Sequence, residues 1–208
     1  APETAAAVSE ADEAIARLLA GLEHRGLRDR TNLVIVADHG MSETSPDRVI
    51  FIEDLVDTSQ VQIESLGPNG GVRPHPGTLT PAELVAQIRA KAPPQLSVYL
   101  REEVPAHLHY RHNDRIPPVV LMAEDHWNIE SKISWVHLRT RYPLGSHGWD
   151  PALPNMGALF LATGPSIKAG HVFDDVENIH VYNFLCALLG ITPASNEGDD
   201  RLAREIMR

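Results

Sequence analysis

Thr31-Asn32-Leu33-Val34-Ile35-Val36-Ala37-Asp38-His39-Gly40-Met41 is the stretch whose reading decides the fold of this chain. Leu33 to Ala37 is apolar and mostly β-branched, and too short for a helix. It predicts a strand buried on both faces, of the kind found inside a parallel sheet. The run ends abruptly in Asp-His-Gly. The polar pair therefore falls at the carboxyl end of a strand, where open α/β sheets place their ligands. An adjacent carboxylate and imidazole at such an edge suit one divalent cation. Gly40 lets the chain turn away sharply, with positive φ if the turn needs it. The plainer reading of the same residues is an Asx-type turn with a satisfied histidine.

Downstream, Gly145-Ser146-His147-Gly148-Trp149-Asp150-Pro151 sets a histidine between glycines in a loop of unusual backbone freedom. Loops on a rigid scaffold are where chemistry sits. Only tertiary folding can bring His147 to Asp38.

The whole chain has 208 residues, enough for one domain or a large piece of one. Apolar content is 43% and charged content 22%, which is globular composition and argues against disorder. A formal net charge of −10 argues against binding nucleic acid or an anionic membrane non-specifically. It leaves an anionic substrate open, because a bound metal dominates its local field. Cys186, the single cysteine, has no internal disulfide partner and falls in an apolar helical pattern. No apolar run is long enough to span a bilayer, so no membrane insertion is expected in this segment. There is no signal peptide, although Ala1 does not look like a natural start.

Around the first motif, Val8, Ala11, Ile15, Leu18, Leu19 and Leu22 keep helical spacing, predicting a helix over about 5–27 that Gly26 closes. Gly67-Pro68-Asn69-Gly70-Gly71 reads as the turn of a hairpin within Gln60–Val72. Thr80-Pro81-Ala82-Glu83 opens a second helix with a capping box and an early proline, and Leu84, Val85 and Ile88 form its buried face. Ser97–Leu100 and Pro118–Ala123 read as strands, and Leu159–Thr163 as another buried one. Ile179–Leu189 reads as the last helix, with Gly190 and Pro193 beyond it. The spacing divides the chain into a core α/β segment over 1–47, an α+β insertion over 48–140 and a second core segment over 141–208.

Other polar clusters compete for attention. His107-Leu108-His109-Tyr110-Arg111-His112 is rich in histidine, but Arg111 and Arg115 lie close and no carboxylate precedes it at ligand spacing. Glu124-Asp125-His126 repeats the shape of the first motif at the end of Val119–Ala123. Trp127 follows in place of glycine, and the segment reads as a structural turn. Asp174, Asp175, Glu197, Asp199 and Asp200 read as solvated loop residues. No phosphate-binding glycine loop, nucleophile elbow or Cys-x-x-Cys pair is present.

With both signals in place, the chain resembles the nucleotide pyrophosphatase/phosphodiesterase family of the alkaline phosphatase superfamily. The resemblance runs through Leu18-Leu19-Ala20-Gly21-Leu22 and Thr31 to Met41, then Leu108-His109-Tyr110 with Asn113-Asp114-Arg115-Ile116. It continues in Gly145 to Asp150 and ends in Asn178-Ile179-His180-Val181-Tyr182-Asn183 with Leu188-Leu189-Gly190. It implies the C-terminal half of an alkaline-phosphatase-like core: a mostly parallel sheet flanked by helices, plus the small α+β insertion. It also implies two zinc ions, with Asp38 and His39 matching ligands of the one that activates the nucleophile and His147 matching a ligand of the other. No catalytic residue of the family falls in this chain. The threonine nucleophile, an early metal-binding Asp and an Asp-x-x-x-His pair would lie upstream of Ala1, with Pro2-Glu3 resembling the segment just past that pair. Thr4 and Thr31 do not sit in the nucleophile motif.

The implied function is phosphodiester or pyrophosphate hydrolysis through a phosphothreonine. Its partners would be a nucleotide or other phosphodiester and the N-terminal half of the same enzyme, and its location periplasmic or secreted. A related two-metal phosphonate or phosphomonoester hydrolase, and a half-domain used only as a binding surface, are the alternatives.

Overall fold

A computed structural model describes residues 2–208. In chain order the elements are α1 (Pro2–His24), β1 (Leu33–Val36), β2 (Ser42–Glu43), β3 (Val49–Phe51), α2 (Ile52–Leu55), β4 (Val61–Ser65), β5 (Asn69–Pro74) and α3 (Pro81–Arg89). They continue with β6 (Leu96–Leu100), β7 (Val119–Ala123), β8 (Asn128–Glu130), α4 (Lys132–Leu138), β9 (Gly145–Ser146), β10 (Phe160–Thr163), α5 (Val181–Leu189) and α6 (Arg201–Ile206). The chain divides into two compact units: residues up to Val36 with Leu159–Arg208, and Ala37–Ala158. Asp38-His39 and His147, assigned by spacing to the outer segments, fall in the same unit as the middle region.

In the first unit β1 pairs with β10, Leu33 opposite Thr163 and Val36 opposite Phe160. The pairing is antiparallel, which corrects the expectation of a mostly parallel sheet. Among the described residues only β3 with β8 runs parallel. The physical reason is connectivity. A parallel neighbour needs a crossover back to the same end of the sheet, whereas here the chain leaves β1, folds the 37–158 unit and returns along β1 in the opposite sense.

β1 also departs from two-sided burial. Val34, Phe160 and Ala162 pack on a core of Ile167, Phe184, Leu202 and Ile206, while Val36 and Leu161 are each more than half exposed. An apolar run marks two covered faces only where a layer lies over each. α1 has the expected extent to within a few residues and Gly26 closes it at φ +64°, yet it contains no buried residue. α5 ends at Gly190 in the left-handed conformation, as its sequence requires. It is not the last helix, because α6 follows and supplies Leu202 and Ile206 to the core.

The 37–158 unit has the larger core. Its sheet runs β4-β5-β7-β6, antiparallel throughout. β7 is the strand with the two-sided burial expected of Leu33–Ala37: Val119, Val120, Leu121 and Ala123 are all buried. It lies between β5 and β6, with α3 packed on the sheet through Leu84, Val85 and Ile88. The start of α3 is capped as its sequence requires. Thr80 Oγ1 accepts from the Glu83 amide at 3.2 Å, and the Glu83 carboxylate accepts from the Thr80 amide at 2.8 Å.

The contrast between the sheets gives a test. Leu121→Ala empties a fully buried site in the central strand and should cost about 2–5 kcal/mol. Leu161→Ala, at 54% exposure in β10, should cost less than about 1 kcal/mol. Urea midpoints of the two variants, read at constant m value, check the difference.

Candidate metal centre

Asp38, His39 and His147 all belong to the 37–158 unit. After β1 the chain passes Asp38 and His39, bends at Gly40 and enters β2. β2 pairs antiparallel with β9, Ser42 opposite Ser146 and Glu43 opposite Gly145. His147 follows β9 directly, so this register carries it back towards the residues preceding β2. The imidazoles of His39 and His147 stack with centroids 3.5 Å apart and planes 12° from parallel. An antiparallel pairing of two residues each, and not a parallel strand edge, thus joins the two halves of the candidate site.

His39 is held in one tautomer. Its Nδ1 donates to the Gly40 carbonyl at 2.8 Å, so in the neutral ring the lone pair lies on Nε2. Asp38 Oδ2 lies 3.4 Å from that Nε2. Two donors each about 2.0–2.1 Å from a tetrahedral zinc stand about 3.3–3.4 Å apart. Oxygen and nitrogen donors at this separation fit two corners of one zinc ion. The Asp38 side chain is 86% exposed and His147 is exposed, so both are accessible from solvent. Among the described residues no three His, Cys, Asp or Glu side chains form one metal-binding group. A catalytic zinc takes three protein ligands, which is more than Asp38 with His39, or His147 by itself, provides.

Gly40 is needed for a different reason from the one its position in the motif suggests. Its φ is not in the left-handed region. A Cβ there would instead meet the Asn155 carbonyl oxygen at 2.0 Å and the Gly157 carbonyl oxygen at 2.8 Å. The backbone of 155–157 packs directly on Gly40, whose amide donates to the Met156 carbonyl at 2.9 Å.

The His147 loop is pinned from several sides. Gly148 takes φ +110°, and its carbonyl accepts from Asn69 Nδ2 at 2.8 Å. The buried Trp149 donates its indole N–H to the Trp127 carbonyl at 2.9 Å. His107 Nε2 donates to Asp150 Oδ2 at 2.9 Å. Burial of Asp150 opposes its charge, but the Ala152 amide and His107 outweigh it and hold the carboxyl below its ordinary range. One histidine of the His-rich tract is therefore a partner of the carboxylate three residues past His147.

Glu124-Asp125-His126 forms a turn, with His126 at φ +70°, and that turn faces β2. Burial opposes the Asp125 charge, but hydrogen bonds from Ser42 and Asn155 and the nearby His126 hold the carboxyl below its ordinary range. Ser42, Asn69 and Asn155 carry no local signal in the sequence. Ser42 follows Met41, Asn69 falls inside the Gly67–Gly71 turn and Asn155 comes shortly after Pro151, but their partners lie far along the chain.

Residues 1–150 match the family described as type I phosphodiesterase / nucleotide pyrophosphatase. The chain belongs to this family. Among relatives, bis(5'-adenosyl)-triphosphatase ENPP4 of Bos taurus is 32% identical over 92% of this chain and 40% of its own length. Ectonucleotide pyrophosphatase/phosphodiesterase family member 7 of Homo sapiens is 34% identical over 95% of this chain and 43% of its own. Among solved structures, human ectonucleotide pyrophosphatase/phosphodiesterase 5 superposes with a TM-score of 0.86 at 28% identity. It covers 99% of this chain, which spans 53% of it. An inactive murine form of the same protein, in complex with AMP, superposes equally well at 29% identity. The chain thus spans about two fifths of the curated relatives it matches and about half of the solved ones. It shares their alkaline-phosphatase-like α/β architecture.

The close approach at Gly40 is testable. Gly40→Ala puts a methyl group where the Asn155 carbonyl sits, so the 155–157 turn must withdraw. The expected cost is about 1–3 kcal/mol, accompanied by loss of the nuclear Overhauser contacts between the His39 and His147 rings.

Proposed function

We propose that this chain contributes Asp38, His39 and His147 to a two-zinc centre that hydrolyses phosphodiester or pyrophosphate bonds through a phosphothreonine intermediate. The observation that carries the reading is the convergence of the two motifs. His39 and His147, far apart in sequence, stack at 3.5 Å, and Asp38 stands at zinc-ligand spacing from the free nitrogen of His39. Membership of the type I phosphodiesterase family supports the chemistry.

Bound zinc ions would supply charge stabilisation for the attacking and departing oxygens and lower the pKa of a coordinated hydroxyl. The residues of this chain hold and orient. The Gly40 carbonyl keeps the His39 proton on Nδ1, so that Nε2 presents its lone pair beside the Asp38 carboxylate. The loop pinned by Asn69 and Trp149 fixes His147. None of the three residues moves a proton in this scheme. In our reading the threonine nucleophile and the remaining ligands come from the part of the family's length not matched by these residues, and the same part covers the open face of β1 and β10. A nucleotide substrate is supported by the name bis(5'-adenosyl)-triphosphatase on one relative and by the AMP complex of another. A periplasmic or secreted location agrees with the "ecto" in the relatives' names, and among the described residues no helix is long and apolar enough to cross a membrane.

The test is hydrolysis of bis-p-nitrophenyl phosphate by the chain alone and by a protein extended to the family's full length. The long form should be active with zinc, lose activity on chelation and regain it on zinc addition. His39→Ala and His147→Ala should each lower its kcat/KM by more than about 100-fold. The 208 residues alone should be inactive. Chelation-resistant hydrolysis, or full activity in both histidine variants, would overturn the reading.

A further inference from the structure

We infer that Asp125 is a positioning residue for the His39–His147 pair, one carboxylate that sets both halves of the candidate metal centre. The inference rests on the two-zinc reading for its purpose, though not for its geometry. Asp125 Oδ1 accepts from Ser42 Oγ at 2.7 Å and from the His126 amide at 2.9 Å. Oδ2 accepts from Asn155 Nδ2 at 2.8 Å. Asn155 Nδ2 also donates to Ser42 Oγ, closing a three-membered network. The network is largely shielded: Ser42 is 4% exposed and the Asp125 side chain 22%.

Each branch reaches one half of the site. Through Ser42 the carboxylate grips β2 at the residue paired with Ser146, next to His147. Through Asn155 it fixes the turn whose backbone packs on Gly40 and whose Met156 carbonyl receives the Gly40 amide, next to His39. His126 adds a third grip on the same strand, donating from Nδ1 to the Glu43 carbonyl at 2.7 Å. Outer-shell partners of this kind, which orient ligands without touching the metal, typically carry 10–100-fold of metal affinity.

Asn is the informative replacement, because it keeps the shape and reverses one hydrogen bond. With its oxygen still facing Ser42 and the His126 amide, its NH2 group would face the NH2 group of Asn155, donor against donor. The control is Glu53→Gln. Glu53 is another carboxylate of the same unit, bonded to Ser131 Oγ and the Lys132 amide, and not part of this network.

The experiment has two readouts on the full 208-residue chain. In the metal-free chain, ring-to-ring Overhauser contacts between His39 and His147 should vanish in Asp125→Asn while far-UV circular dichroism stays native, and should persist in Glu53→Gln. Zinc affinity, measured by competition with a chromophoric chelator, should fall about 10–100-fold in Asp125→Asn and less than about threefold in Glu53→Gln. Retained ring contacts in folded Asp125→Asn, or their equal loss in Glu53→Gln, would overturn the inference. If the unsubstituted chain binds no zinc, the metal reading fails and the ring contacts alone decide the positioning role. Should Asp125→Asn not fold, Ser42→Ala and Asn155→Ala each remove one branch. Lost contacts in either folded variant support the inference, and retained contacts in both overturn it.

Discussion

Two residues of β2 and two of β9 pair across about half the length of the chain, and the candidate site depends on that short ladder. A ladder of this length has little stability of its own. It persists because side chains reinforce it from outside. Thr44, fully buried, donates from Oγ1 to the Pro143 carbonyl at 2.6 Å, and its amide donates to the Leu144 carbonyl. Ser42 and Glu43 are gripped by the turn after β7. The register of four residues is thus enforced by a rigid neighbour, the sheet whose central strand is β7. This is the usual division of labour between a packed scaffold and the loops it presents.

How much of this is legible in the sequence depends on the range of the interaction. The capping box at Thr80 and Glu83, the closing glycines at positions 26 and 190 and the buried face of α3 are local devices, and each occurs where its residues indicate. Asp38, His39 and His147 stand out because their types and glycine neighbours suit metal chemistry. Long-range consequences were not legible. Leu33–Ala37 and Val119–Ala123 read almost alike, and only the layers placed over them decide which is buried on both faces. Strand direction escaped for the same reason, since it is set by connectivity and not by composition. Gly40 reads locally as a turn residue, but what requires glycine there is a carbonyl more than a hundred residues away.

The two Asp-His pairs show why a short motif needs its surroundings. Each follows an apolar strand. At the first, glycine lets another backbone pack close and leaves the carboxylate 86% exposed beside an imidazole nitrogen. At the second, tryptophan follows, and both carboxylate oxygens are spent on hydrogen bonds within the protein. Both aspartates accept from the amide of the following histidine and stand about equally far from its Nε2, but only at Asp125 do Ser42 and Asn155 also bond the carboxylate. The same dipeptide therefore meets different surroundings according to the residue after it and the partners available.

The insertion of the 37–158 unit between β1 and β10 has a kinetic consequence. Those strands are neighbours in space but are separated by that entire unit along the chain. Joining them from an unfolded chain carries a closure entropy that grows with the logarithm of the intervening length, and pairing of such high sequence separation is slow. A folded 37–158 unit removes most of that cost, because its own two ends then emerge side by side. Assembly from the inside outward is the favoured route, with the inserted unit folding before β1 and β10 pair.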